Sequence, residues 1–176
     1  YAMMRSNLQN KDGLPTGALF GFANMITAFI EKESPEHIAV AFDTKTPTFR
    51  HEKYPLYKAN RQAAPEDLIA QLERIKEFLD LAGIPRIEMP GFEADDVIGT
   101  LSKKAAAEGW QAVCLTADKD YYQLVDENIT LYKPLQGNDF EVIDETNVPD
   151  KFGVPAAQVI EVLALTGDQS DNVPGV

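Results

Sequence analysis

Apolar residues recur at Leu19, Phe22, Ile26 and Ile30, three or four positions apart, and predict an amphipathic helix. Thr16 is placed to cap it, and Pro15 holds the preceding chain out of it. A short apolar run with β-branched content over 37–42 predicts a strand, ended by Asp43. Pro65, Glu66 and Asp67 form a helix-start signature. Leu68, Leu72, Ile75 and Leu79 follow as a buried stripe, and Gly83 fits the position just past the end. Residues 84–89 read as a second strand. A helix over 93–108 comes next, with Val97, Leu101 and Ala105 on one face and Gly109 after it. Further strands are expected at 110–116, 129–133 and 140–143, the last after the turn Gln136-Gly137-Asn138. Short helices are expected at 121–124, 145–152 and 156–165.

This alternation predicts an α/β fold, a mostly parallel sheet flanked by helices on both faces. Such sheets bind ligands beyond the carboxyl ends of their strands. Residues 44–64 lack a period and are long for a connection, which marks a functional loop. The 176 residues, 44% of them apolar, predict one domain with its own core. No apolar run approaches the roughly 20 residues of a membrane span and no signal peptide is visible, so the expectation is a cytoplasmic chain without a membrane partner. The single cysteine, Cys114, excludes an internal disulfide and a thiolate zinc cluster, and it reads as core filler.

A net charge of −12 would argue against a nucleic-acid partner, but the distribution changes that. Between Thr44 and Gln62, five cations (Lys45, Arg50, Lys53, Lys58 and Arg61) face the single acid Glu52, a local +4 that leaves −16 elsewhere. Phe49, Tyr54 and Tyr57 are interleaved with them, a mixture suited to neutralising phosphates and stacking on unpaired bases. A solvated, mobile basic loop is the plainer account of that segment alone.

The acids are placed as tellingly. Asp43 ends the first strand, Glu93, Asp95 and Asp96 open the helix after the second, and Asp118 and Asp120 follow the third. Six carboxylates therefore converge on one edge of the sheet, and Asp168 and Asp171 add two more if the loop 166–172 folds back over it. Taken alone, Glu93, Asp95 and Asp96 could be acids that favour a helix start, by roughly 0.3–1 kcal/mol each. Asp118 and Asp120 alone could be turn and cap residues. Together they would repel one another unless cations intervene, and hard divalent ions suit oxygen donors. Two such ions about 3.5–4 Å apart support in-line phosphoryl displacement, which is nuclease chemistry.

Four long stretches now match one family. They are Phe42-Asp43 with Pro47-Thr48-Phe49-Arg50-His51-Glu52, Tyr57-Lys58 and Arg61; residues 91–100, Gly-Phe-Glu-Ala-Asp-Asp-Val-Ile-Gly-Thr; Thr116-Ala117-Asp118-Lys119-Asp120 with Gln123-Leu124; and residues 165–175, Leu-Thr-Gly-Asp-Gln-Ser-Asp-Asn-Val-Pro-Gly. The chain resembles the 5′ nuclease domain of bacterial DNA polymerase I over nearly its whole length. The resemblance implies a PIN-like fold related to flap endonucleases, acting as a 5′-3′ exonuclease and flap endonuclease on DNA with 5′ ends or flaps, in primer removal and repair. It implies two Mg2+ or Mn2+ ions held directly or through water by Asp43, Glu93, Asp95, Asp96, Asp118, Asp120, Asp168 and Asp171. It implies an arch over 44–64 in which Lys58 and Arg61 contact the scissile phosphate region and Tyr57 stacks near the reacting nucleotide, while the charge pattern itself points to Arg50 and Lys53 as DNA-binding residues. A polymerase domain in the same parent chain is part of the same expectation.

The family's first strand, with an Asp-Gly pair and a following arginine, would precede Tyr1. Its helix-hairpin-helix with a K+ ion would begin at 166–176 and continue past Val176. Tyr1 is not an initiator methionine and Val176 falls inside a Pro-Gly turn, so the chain reads as a nuclease domain cut short at both ends, of impaired activity. Three rivals remain. A haloacid-dehalogenase-type phosphatase would use Asp43-Thr44-Lys45-Thr46 and the acids at 168 and 171, but Lys45 stands where that family needs an acidic proton donor. A toxin-type ribonuclease would be shorter and lack the basic segment. A non-catalytic DNA-binding module would have no use for eight acids in register.

Overall fold

The computed structural model describes residues 8–176, so the expectation attached to Tyr1 lies outside it. The chain runs α1 (Gly17–Glu33), β1 (Val40–Phe42), α2 (Phe49–Lys53), α3 (Glu66–Leu81), β2 (Arg86–Glu88), α4 (Ala94–Ala107) and β3 (Ala112–Leu115). A 3₁₀ helix (Lys119–Leu124) follows, then β4 (Ile129–Pro134), β5 (Phe140–Ile143), α5 (Val148–Phe152) and α6 (Ala156–Thr166). No helix among the described residues is long and apolar enough to cross a membrane. The chain divides into two compact units, one of Tyr1–Val40 with Gln62–Ile87, the other of Ala41–Arg61 with Glu88–Val176. β1 and β2 pair in a two-stranded sheet, and both carry the chain from the first unit into the second.

In the first unit α1 packs on α3, with Phe22 meeting Phe78 edge to face at 6.5 Å. Ile26, Phe29, Ile75, Leu79 and Ile84 are buried there. Thr16 makes no side-chain cap, contrary to expectation. The free N–H groups of α1 are met instead by Gln71, whose Oε1 accepts from Ala18 at 2.8 Å and Leu19 at 3.3 Å while its Nε2 donates to the Asp67 carbonyl. Gln71 therefore occupies a slot in the apolar stripe of α3 as a buried polar residue. A buried donor left without its acceptor costs about 1–3 kcal/mol. Gln71→Ala is expected to lower the unfolding free energy by about that amount, read from the urea midpoint, and an unchanged midpoint would show that water replaces the cap.

The second unit is built on a three-stranded sheet in the order β3-β4-β5. β3 and β4 are parallel, as the alternating pattern predicts. β5 runs antiparallel to β4, because the link over 135–139 is long enough for a hairpin and too short for a crossover. Gly137 (φ 79°) and Asn138 (φ 62°) both take the left-handed conformation that a tight hairpin turn requires. Cys114, Tyr121, Tyr122, Val125, Ile129, Leu131, Ile143, Val148 and Val159 form the core. α4 covers it with Ile98 and Ala106, and Ser102 between them is buried. Of the expected stripe, Val97 is buried and Ala105 half-buried, but Leu101 is exposed and Ser102 takes the buried slot beside it.

Candidate metal and nucleic-acid site

All the candidate residues belong to the second unit. The carboxyl end of β1 presents Asp43, whose Oδ1 accepts the Ala94 N–H at 2.8 Å and so meets the start of α4. Glu93 is the residue before that helix, and its own N–H is taken by Asp96 Oδ2 at 2.9 Å. Acids suit this position because the first N–H groups of a helix lack partners and carry partial positive charge. Asp118 caps the 3₁₀ helix by accepting the Asp120 N–H at 2.9 Å, so the plainer account of that pair is also true. Capping of this kind occupies Oδ1 of Asp118 and leaves its second oxygen for another partner.

The loop after α6 does fold back. Asp168 and Val173 exchange backbone hydrogen bonds at 2.8 and 2.7 Å, closing the loop on itself. Asp168 Oδ1 accepts the Ser170 N–H at 2.7 Å. A cleft of about 970 Å³ is walled by all eight candidate acids together with Arg50, Tyr57, Lys58 and Arg61. Lys53 is not on its wall. It lies on α2 with its ammonium 5.6 Å from the centre of the Phe49 ring.

The basic segment is more ordered than its sequence suggests. Thr48 precedes the short helix α2, with its N–H 3.1 Å from His51 Nδ1, and Phe49 is anchored by its N–H to the Gly91 carbonyl and by its ring to Phe92. Further along, Lys58 donates its N–H to the Asp171 carbonyl at 2.9 Å, Asn172 Nδ2 donates to the Leu56 carbonyl at 2.8 Å, and Asn60 Nδ2 to the Gln169 carbonyl at 3.0 Å. Residues 56–61 and 169–172 thus form a single clasp. Lys58 takes a left-handed φ of 56°, a strained conformation for a lysine that the clasp sustains.

The side chains of the segment neutralise acids. Arg50 grips Asp96 with two parallel hydrogen bonds of 2.7 Å, which draws the Asp96 carboxyl below its usual range and makes the guanidinium hold its proton more tightly. Lys58 lies 2.8 Å from Glu93 and 3.8 Å from Asp171, and Arg61 pairs with Asp171. Tyr57 is 8% exposed, with its hydroxyl 3.1 Å from Glu93 Oε2 and 2.9 Å from Asp171 Oδ2. Burial, then those carboxylates, push its ionisation far above the ordinary range. The expected stacking face is therefore turned inward, edge-on to His51, because the hydroxyl seeks partners among the acids.

Other acids lack such compensation. Burial raises Asp95 above its usual range against the opposing bond from Tyr121, and the charges of Asp118, Asp43 and Glu93 add to the rise. Burial likewise raises Asp120, reinforced by Asp118 and Asp168. Asp120 Oδ1 is buried with no hydrogen-bond partner, the one such side-chain atom among the described residues. Among those residues no group of three or more His, Cys, Asp or Glu is drawn close enough together to hold a metal ion. The reason is visible in the pairing: Asp96, Glu93 and Asp171 are turned toward cations of the chain itself. The donor set still fits a hard divalent ion, since it is all oxygen, includes an orphaned buried oxygen, and magnesium commonly takes only one or two carboxylates plus water.

Sequence reasoning missed three participants. Gly167 and Gly175 lie inside the quoted stretch 165–175 and Tyr121 directly follows Asp120, but nothing in the sequence gives any of the three a role of its own.

Comparison with known proteins gives this geometry a context. Residues 1–153 match the 5′-3′ exonuclease, N-terminal resolvase-like domain. The chain is 43% identical over 170 residues to the thermostable DNA polymerase I of Thermus filiformis, covering 97% of this chain and 20% of that protein. It is 44% identical over 169 residues to a 5′-3′ exonuclease of Aquifex aeolicus, covering 96% of this chain and 57% of that one. It spans about a fifth of the polymerase relatives. Among solved structures, the T5 D15 protein crystallised with metal ions superposes with a TM-score of 0.74 at 23% identity, covering 89% of this chain and 62% of that one. The catalytic core of Rad2 with a DNA substrate superposes at 0.58 and 20% identity, covering all of this chain and 53% of the other. These likenesses establish the PIN-like α/β nuclease fold.

Proposed function

Because the chain belongs to the 5′-3′ exonuclease family through its N-terminal resolvase-like domain, we propose that its cleft hydrolyses DNA phosphodiesters at 5′ ends and flaps with the help of two divalent cations. The observation that carries this reading is the convergence of eight acids from four separate segments with Arg50, Lys58 and Arg61 on the wall of one cleft. Asp43, Asp95, Asp118, Asp120 and Asp168 would hold the ions, with Glu93 and Asp171 joining as Lys58 and Arg61 move to phosphate. The ions, when bound, supply Lewis acidity at the attacking and the leaving oxygen of an in-line displacement. Magnesium or manganese suits the oxygen donors, and potassium in a helix-hairpin-helix belongs to the same reading. Arg50 and Lys53 serve as DNA contacts from α2, and Tyr57 holds Glu93 and Asp171 in place. A polymerase in the same parent protein and action in primer removal complete this reading, and the likeness to DNA polymerase I relatives supports it.

The non-catalytic alternative has no use for Asp120 Oδ1, a buried acceptor that costs stability when nothing binds it. The phosphatase alternative needs a proton donor where Lys45 stands. Calorimetric titration with Mn2+ tests the proposal. Removing an outer partner of a metal ligand typically costs about 10–100-fold in affinity, so the double variant Asp118→Asn, Asp120→Asn, which removes two ligands, is expected to lose more than that. Unaltered Mn2+ affinity in that variant would sink the metal assignment.

A further inference from the structure

The eight acids differ in what faces them. Glu93, Asp96 and Asp171 meet cations of the chain, whereas Asp95 meets a neutral phenol: its Oδ1 accepts the Tyr121 hydroxyl proton at 2.7 Å. The Tyr121 ring is 4% exposed and belongs to the core beside Cys114, Val125 and Leu131. Its hydroxyl alone leaves that core, and it ends on an acid of the cleft. We infer that Tyr121 is a positioning residue for Asp95, fixing the plane of that carboxylate so that Oδ2 faces an incoming divalent cation.

The element that carries Tyr121 makes the arrangement economical. The 3₁₀ helix is capped by Asp118, contains Asp120 with its unpartnered oxygen, and continues at once into Tyr121. One six-residue helix therefore places two acids through its backbone and a third through a side chain. The core holds the ring, so the hydroxyl cannot follow the carboxylate if Asp95 turns. A partner of this kind removes rotational freedom from the acid before an ion arrives and leaves its charge intact, which a lysine or arginine partner would not.

The inference rests on the divalent-cation reading above. The opposing account is that Tyr121 is a core aromatic whose buried hydroxyl needed some acceptor. Mn2+ titration of the protein, followed by the electron paramagnetic resonance of free Mn2+ and by tyrosine ultraviolet difference absorbance, separates the two. Tyr121→Phe keeps the ring and is expected to weaken Mn2+ binding about tenfold or more, and to reduce the tyrosine difference signal that Mn2+ produces to the share contributed by Tyr57. Cys114→Ala opens the same core without touching the hydroxyl, and is expected to lower the thermal midpoint with Mn2+ affinity unchanged. If Tyr121→Phe binds Mn2+ as tightly as the unaltered protein, or if Cys114→Ala weakens binding equally, Tyr121 is core filler and the inference is overturned. If the unaltered protein fails to bind Mn2+ even at millimolar concentration, the metal-dependent reading fails and this inference falls with it.

Discussion

Lys58→Ala is expected to cut single-turnover cleavage of a 5′-flap substrate by about 100-fold or more while changing DNA affinity far less. Lys58 sits in the cleft with its ammonium between Glu93 and Asp171, and its own N–H binds the Asp171 carbonyl. Its position is thus set by the backbone as well as by its charge. A cation held there stabilises negative charge as it grows on the reacting phosphate, and only such differential interaction raises turnover. The Ala variant keeps the backbone hydrogen bond, so the clasp should survive and the loss should reflect the missing charge. Single-turnover kinetics at saturating enzyme isolate that effect from product release. A variant that binds DNA more weakly but cleaves at the normal rate once saturated would make Lys58 a docking residue.

Gly167→Ala is expected to damage the site from a distance, because two glycines touch back to back beneath the loop that carries Asp168 and Asp171. A Cβ at Gly167 would lie 2.4 Å from both the Gly175 nitrogen and the Val173 carbonyl oxygen. The residue also has φ 68° and ψ −173°, a region essentially reserved for glycine. A Cβ at Gly175 would meet the Thr166 carbonyl oxygen at 2.5 Å, so neither side of the contact can yield. The forced conformation alone costs about 1–3 kcal/mol, and relief of the clash requires the bridge between Asp168 and Val173 to open. The expected result is rapid protease cleavage within 166–176 and loss of most cleavage activity. Wild-type protease resistance in Gly167→Ala would show that the loop has room to spare.

Much of this architecture was legible in the sequence. The five strands, the long helices and the placement of acids at strand ends and helix starts follow from periodicity and from the few residues that end or cap an element. What escaped depends on contacts between distant residues. α2 lasts only five residues, too few to show a period, and its Thr48–His51 pairing is not a standard capping pattern. Gln71 reads as a polar interruption of an apolar stripe until the α1 N–H groups appear beside it. Tyr57 reads as a stacking residue because aromatic and basic residues alternate around it. Its burial is decided by Glu93 and Asp171, which lie 36 and 114 residues further along the chain. No local pattern announces which cation will neutralise which acid, and the division of labour among the eight acids follows from those pairings.

The way the chain threads its two units bears on how the protein is made. Neither unit is a continuous stretch: the first is interrupted by Ala41–Arg61, and the second consists of that insert joined to everything after Ile87. During synthesis the basic segment leaves the ribosome well ahead of its acidic partners, and Lys58 must wait for Glu93 and then for Asp171. Contacts of such separation form late and slow folding, so the nascent segment stays an uncompensated polycation until Glu93, Asp96 and then Asp171 have emerged. Because pieces of the two units alternate along the chain, neither truncation nor circular permutation makes the cleft-bearing unit contiguous, and only a reordered chain joining Ala41–Arg61 directly to Glu88–Val176 would let it assemble in one piece.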